Sequence, residues 1–218
     1  MVATCERVAR RDEAWTVRAY VAFCVLGLLS RAVPALFGAF VAYGIVFPLV
    51  SARRAHDWSA VGLTRQELGR AARWGCSEES AGRPTPLRPS AGGSAPLWGV
   101  QVVIAVPVWL LVLSPFQELF SRGWMQPRLQ RALGRWPGLL ATSLAFTLWH
   151  FFPDFAGSAT ATLPLTSPLG IASTFLAGVL FGYLRDRTDS VVAPWLAHAI
   201  GGLGLVLIGR MTSLTYVP

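Results

Sequence analysis

Phe116-Gln117-Glu118-Leu119-Phe120-Ser121-Arg122-Gly123 stands between two long apolar runs, 98–113 before it and 136–152 after it. On a helix, a carboxylate and a guanidinium four residues apart share one face. That face lies between segments that read as membrane-spanning. An ionisable side chain at such depth is costly and points to function by default. The rest of the chain is therefore read for residues that could partner Glu118.

The composition agrees with this setting. Of 218 residues, 53% are hydrophobic and only 14% charged, against about 25% charged in average soluble domains. The mean hydropathy is +0.49. These values predict an all-α, polytopic transmembrane helical bundle of about seven membrane segments. Arginine supplies the whole basic excess behind the +8 net charge, since the chain has no lysine. In a membrane protein such arginines anchor topology at the cytoplasmic face, so no nucleic-acid partner is expected. Cys5, Cys24 and Cys76 show neither metal-ligand spacing nor an even disulfide set and read as structural or incidental.

Three regions follow in order. Residues 1–50 hold a basic start and two spans, 16–30 and 32–50, with a brief turn at Arg31 and Pro34 near the second helix start, where proline is tolerated. Residues 51–96 form a basic cytoplasmic loop. Within it Thr64 and Glu67 make a capping box for a short surface helix, and 76–96, rich in Gly, Pro and Ser, reads as flexible. His56 reads as a solvated loop residue. Residues 97–210 carry the remaining spans at 97–113, 116–133, 136–152, 168–184 and 191–208, with Pro107 as a kink and Pro115 separating two of them. With 116–133 crossing, the arginine-bearing loops at 51–96, 126–135 and 185–190 all share one side. The positive-inside rule makes that side cytoplasmic, with the N-terminus there too. The expected location is the cell membrane, multi-pass, with the lipid bilayer as a partner.

Few strongly polar side chains occupy the later spans or their ends: Gln117, Glu118, Arg122, His150 and His198. In a bilayer each must face the bundle interior and find a partner. A carboxylate withdrawn from water is a useful general base, and imidazoles can donate hydrogen bonds to a developing oxyanion. Such a group would activate water against a carbonyl, for hydrolysis or another acyl transfer. No serine in a nucleophile elbow and no helix-borne His-x-x-x-His appears, so no cofactor or metal site is expected, and metal dependence stays open.

Gln117-Glu118-x-x-x-Arg122-Gly123, Phe146-x-x-x-His150 and His198-x-x-x-Gly202, in that order, resemble the motifs of the CPBP family, also called Abi. It comprises type II CAAX prenyl endopeptidases and bacteriocin-processing or immunity proteins. Its usual pattern is EExxxR, FxxxH and HxxxN or HxxxB. The run 175–188 is similar to the family's glycine-bearing helix and basic turn. The resemblance covers about residues 97–208. It implies an intramembrane glutamate-dependent endopeptidase, often labelled a metalloprotease, acting on a peptide or protein substrate that is membrane-anchored or prenylated. By position it implies catalytic roles for Glu118, His150 and His198: Glu118 activating water, the two histidines stabilising the oxyanion. Arg122 would hold the glutamate.

Two positions depart from the pattern. Gln117 replaces the first glutamate and Gly202 the final asparagine. In the prenyl-protease branch the first glutamate is the water-activating one. Neighbouring residues stand about 100° apart around an α-helix, so Glu118 takes that place only through helix rotation or local unwinding. Three classes stay open: a hydrolase with a divergent site, a non-cutting membrane interaction or immunity protein, and a small-molecule transporter. Glu118 and Arg122 could also be only a buried pair fixing helix register. Trp124, Trp136, Trp149 and Trp195 read as including interfacial belt residues. Gly178 and Gly182, and likewise Gly201 and Gly202, read as close-packing positions.

Overall fold

The computed structural model describes residues 2–63, 69, 100–152 and 167–207. Six helices make up the bundle: α1 (Val2–Ala32), α2 (Leu36–Ala55), α3 (100–133), α4 (Arg135–Trp149), α5 (Pro168–Thr188) and α6 (Val192–Leu207). A 3-10 turn, Ser59–Val61, follows α2. No strand occurs among the described residues, so the expected all-α class holds. Four stretches are long and apolar enough to cross a membrane: Ala14–Ala32, Leu36–Ala55, Val103–Leu133 and Pro168–Thr188. The capping box at Thr64 and the segments 76–96 and 153–166 lie outside the described residues.

Arg31 belongs to the last turn of α1, and the chain reverses at 33–35 instead. There Leu36 and Phe37 donate to the carbonyls of Val33 and Pro34, so Pro34 precedes α2 and costs no helical hydrogen bond. His56 adopts the left-handed conformation (φ 51°) that closes α2.

The main departure from expectation is α3. The sequence reads segments 97–113 and 116–133 as two spans separated at Pro115. Over the described residues they are one continuous helix, about 50 Å long at 1.5 Å per residue. Its continuity rests on two π-helical stretches, Trp109–Leu113 and Leu119–Met125. Each ends just ahead of a proline, Pro115 and Pro127. A proline ring clashes with the carbonyl four residues back and offers no N–H to it. A widened π turn absorbs that clash without breaking the helix. Side chains then bond carbonyls at these turns: Gln117 Nε2 donates to Leu113 O at 3.1 Å, and Arg128 Nη1 to Trp124 O at 2.8 Å.

Contacts across the bundle bring Arg128, Arg131, Arg135 and Arg185 to one end. Arg128 donates to Ser51 at the end of α2, Arg135 pairs with Asp186 at 3.0 Å, and Val191 N bonds Gly62 O. Trp15, near the middle of α1, meets Phe47, late in α2. The described ends of α2, α3 and α5 and the starts of α4 and α6 therefore share one face of the bundle.

An aromatic core joins α1 to α4. Phe23 stacks on Phe120 at 4.3 Å between centroids, and Phe40, Phe116, Phe146 and Trp149 pack around them. Trp124 and Trp149 are wholly buried here, so neither is a belt residue: the π turns and the α4 register aim them inward. Trp136 is 54% exposed, as an interfacial residue would be. The close-packing reading of Gly178 and Gly182 holds. A Cβ on Gly178 would meet Ser143 Cβ at 3.2 Å, and one on Gly182 would meet Leu139 Cγ at 2.9 Å. Cys24 is a buried free thiol.

Candidate active site

The polar centre is built on α3, α5 and α6. Glu118 and Arg122 are both fully buried. Glu118 Oε1 accepts from Arg122 Nη1 at 3.5 Å and from His198 Nδ1, on α6, at 2.7 Å. Arg122 also donates through Nη2 to the Gly178 carbonyl of α5 at 3.0 Å. Its guanidinium lies 4.0 Å from the Phe146 ring centroid and 5.5 Å from that of Phe181. A planar guanidinium suits this slot because it stacks on rings and still presents fixed N–H donors; an ammonium does neither as well. Phe181 stacks in turn on His198, 4.9 Å away and 18° from parallel. Two ring walls thus hold the cation and the imidazole against one carboxylate oxygen. The other, Glu118 Oε2, is buried with no protein hydrogen-bond partner.

The remaining candidates fall around this centre. Phe146 carries Arg122 on its face and meets His150 edge-on at 4.6 Å. His150 closes α4, with Nδ1 2.6 Å from Phe146 O and the ring stacked on Trp149 at 4.0 Å. Phe146 also meets the His198 ring edge-on at 6.0 Å, so one phenyl ring neighbours both imidazoles. Gln117 is buried, but its amide donates back to Leu113 within α3. Gly202 lies against Trp109: a Cβ there would sit 2.5 Å from Cε3 and Cη2 of that indole and closer still to Cζ3. The indole therefore occupies the space into which a longer side chain at 202 would project. Trp109 also stands 6.1 Å from His198, centroid to centroid.

Hydrogen-bond logic limits what the imidazoles can do. A carbonyl only accepts, so the His150 Nδ1 contact to Phe146 O requires N–H on Nδ1. The same holds for His198 Nδ1 against an ionised Glu118. Each neutral ring then offers Nε2 as an acceptor and becomes a donor there only as imidazolium. No group of three or more His, Cys, Asp or Glu placed to hold a metal occurs among the described residues.

Phe181, the Gly178 carbonyl and Trp109 were not singled out for this site from sequence. Gly178 carried a packing signal, and its lack of a side chain is what lets Arg122 reach the backbone: a Cβ would lie 3.3 Å from Nη2. Phe181 and Trp109 had no signal beyond being aromatic in an apolar run.

Residues 98–203 match the family described as type II CAAX prenyl endopeptidase, Rce1-like. No curated protein and no solved structure matches the chain. The matched segment contains Glu118, Arg122, His150 and His198.

Proposed function

Starting from that match, we propose that this chain is an intramembrane endopeptidase of the CAAX prenyl protease type, hydrolysing a peptide bond with water activated at Glu118. The observation that carries this reading is the asymmetric carboxylate: Oε1 is held by His198 and Arg122, while buried Oε2 is open to accept a proton. Arg122 sets the carboxylate's position through its second bond to Gly178. Water gives its proton to Oε2 as its oxygen attacks the scissile carbonyl, and Glu118 returns that proton to the departing amine as the oxyanion collapses and the C–N bond breaks. On this reading His198 and His150 are the groups that meet the developing oxyanion, through Nε2, since Nδ1 of each is already engaged. Since a neutral ring in either contact only accepts at Nε2, oxyanion stabilisation uses a ring in its imidazolium form. Enclosure between Phe146, Phe181 and Trp109 keeps bulk water from weakening these interactions. The arginine-bearing end is cytoplasmic on the positive-inside rule, and the substrate is a peptide or protein presented from the bilayer, membrane-anchored or prenylated.

A second reading keeps the fold without cleavage, as a membrane interaction or immunity protein. Two observations favour it: Gln117 is engaged within its own helix, and the Gly202 position is closed by Trp109. Purified protein assayed against a farnesylated CAAX-type peptide and an unprenylated peptide library separates the two. On the first reading Glu118→Gln, His150→Ala and His198→Ala each lower kcat by about 10²-fold or more. Cleavage unchanged in all three would discard the assignment. No cleavage by the wild type, with activity appearing in Gln117→Glu, would establish the second reading.

A further inference from the structure

At the arginine end, away from Glu118, the helices frame an open cleft of about 420 Å³ lined by Pro127, Gln130, Arg131, Arg135, Arg185, Asp186 and Asp189. Three arginines face two aspartates there. Asp186 is already engaged, accepting from Gln126, Gln130 and Arg135 at 2.9–3.1 Å. Arg185 is not comparably served. It is 9% exposed, its Nε has no hydrogen-bond partner, and of the two aspartates beside it Asp186 is taken up by other donors while Asp189, at 3.8 Å, is itself 85% exposed. Gly62, just after the 3-10 turn, packs closely against the guanidinium: a Cβ there would sit 2.9 Å from Nε. A buried cation so poorly compensated calls for an anion.

The surroundings specify the kind of anion. Arg135 lies over the ring of Trp136 at 5.5 Å, and Trp136 begins a stripe of exposed apolar residues, Trp136, Leu140, Leu144 and Leu148, one per turn along α4. A tryptophan at the polar–apolar boundary and an apolar track leading away from it match headgroup and acyl chain respectively. Basic pockets between membrane helices at this level hold lipid phosphates.

We infer that this cleft binds a phosphate ester, the headgroup of a membrane phospholipid, with Arg131 and Arg185 on the phosphate and the acyl chains along α4. The site is separate from Glu118 and stands whether or not the chain cuts peptides. Its test is native mass spectrometry of the full chain in detergent, titrated with dioleoyl phosphatidylglycerol, dioleoyl phosphatidylcholine or inorganic phosphate. One phosphatidylglycerol is retained by the wild type. The exposed Arg131, changed to Gln, weakens retention about fivefold, whereas Arg54→Gln, at the same end but outside the cleft, leaves it unchanged. Equal weakening by both substitutions, or no effect of Arg131→Gln, overturns the site, because attraction would then be general to this face. Competition by inorganic phosphate alone assigns the pocket to free phosphate; retention of lipid without such competition assigns it to the headgroup. Failure of both to bind overturns it.

Discussion

Gly202→Ala is the most direct probe of how this site is closed. The new methyl carbon would lie 2.5 Å from two ring carbons of Trp109, where ordinary carbon–carbon contact needs about 3.5–4.0 Å. The indole must retreat by an ångström or more. It is only 5% exposed and packs with Ala105, Leu113 and Leu203, so little space receives it. Overpacking of this kind costs about 1–3 kcal/mol, and this site belongs at the upper end because the clash is with ring atoms, not a flexible tip. Trp109→Leu shortens the obstructing group and removes contacts of its own, at about 2–4 kcal/mol. The double variant relieves the clash, so its loss falls short of the sum of the singles by about 1 kcal/mol or more. Reversible unfolding of the purified protein in mixed micelles gives all four free energies. Gly202→Ala within about 0.5 kcal/mol of the wild type, or strict additivity in the cycle, would refute the filled-pocket account. Peptide cleavage measured on the same variants tests the link onward, since a displaced indole presses toward His198.

Gly44→Ala in α2 would place a methyl carbon 2.6 Å from the Phe116 carbonyl oxygen; a backbone atom cannot swing aside, so stability falls by about 1–3 kcal/mol in the same unfolding assay. Asp186→Asn turns an amide N–H toward the donors of Gln126, Gln130 and Arg135, costing about 1–3 kcal/mol and loosening α5 from α3, read as faster proteolysis at this end. In a background with Cys5, Cys24 and Cys76 replaced, cysteines at Arg54 and Arg187 are labelled from one side of the membrane, and one at Val33 or Leu169 from the other. Labelling of positions 54 and 187 from opposite sides would contradict the helix order.

Much of the site was legible because its strongest signals are local. Glu118 and Arg122 are four apart on one helix, and that spacing survives the π turn that separates them. His198 was legible only as a polar residue that had to face inward; its bond to Glu118 joins positions 80 apart in the chain. Gly202 read as a lost donor, whereas Trp109 from another helix stands in that space. Asp186 drew no attention as part of a basic turn, yet it ties α3, α4 and α5 together.

Apolar run length, the arginine distribution and the order of the polar motifs by themselves determined a helical membrane protein and the residues around which its chemistry gathers. Only the tertiary structure decided which way those residues point. The physical reason lies in α3: neighbouring residues differ by about 100° in direction around a helix, so each π turn, by adding to the turn's length, resets the facing of everything beyond it. Pro115 and Pro127 announce a disturbance in the sequence, but whether the chain breaks, kinks or widens there depends on the helices packed against it. That choice put Glu118, and not Gln117, against His198.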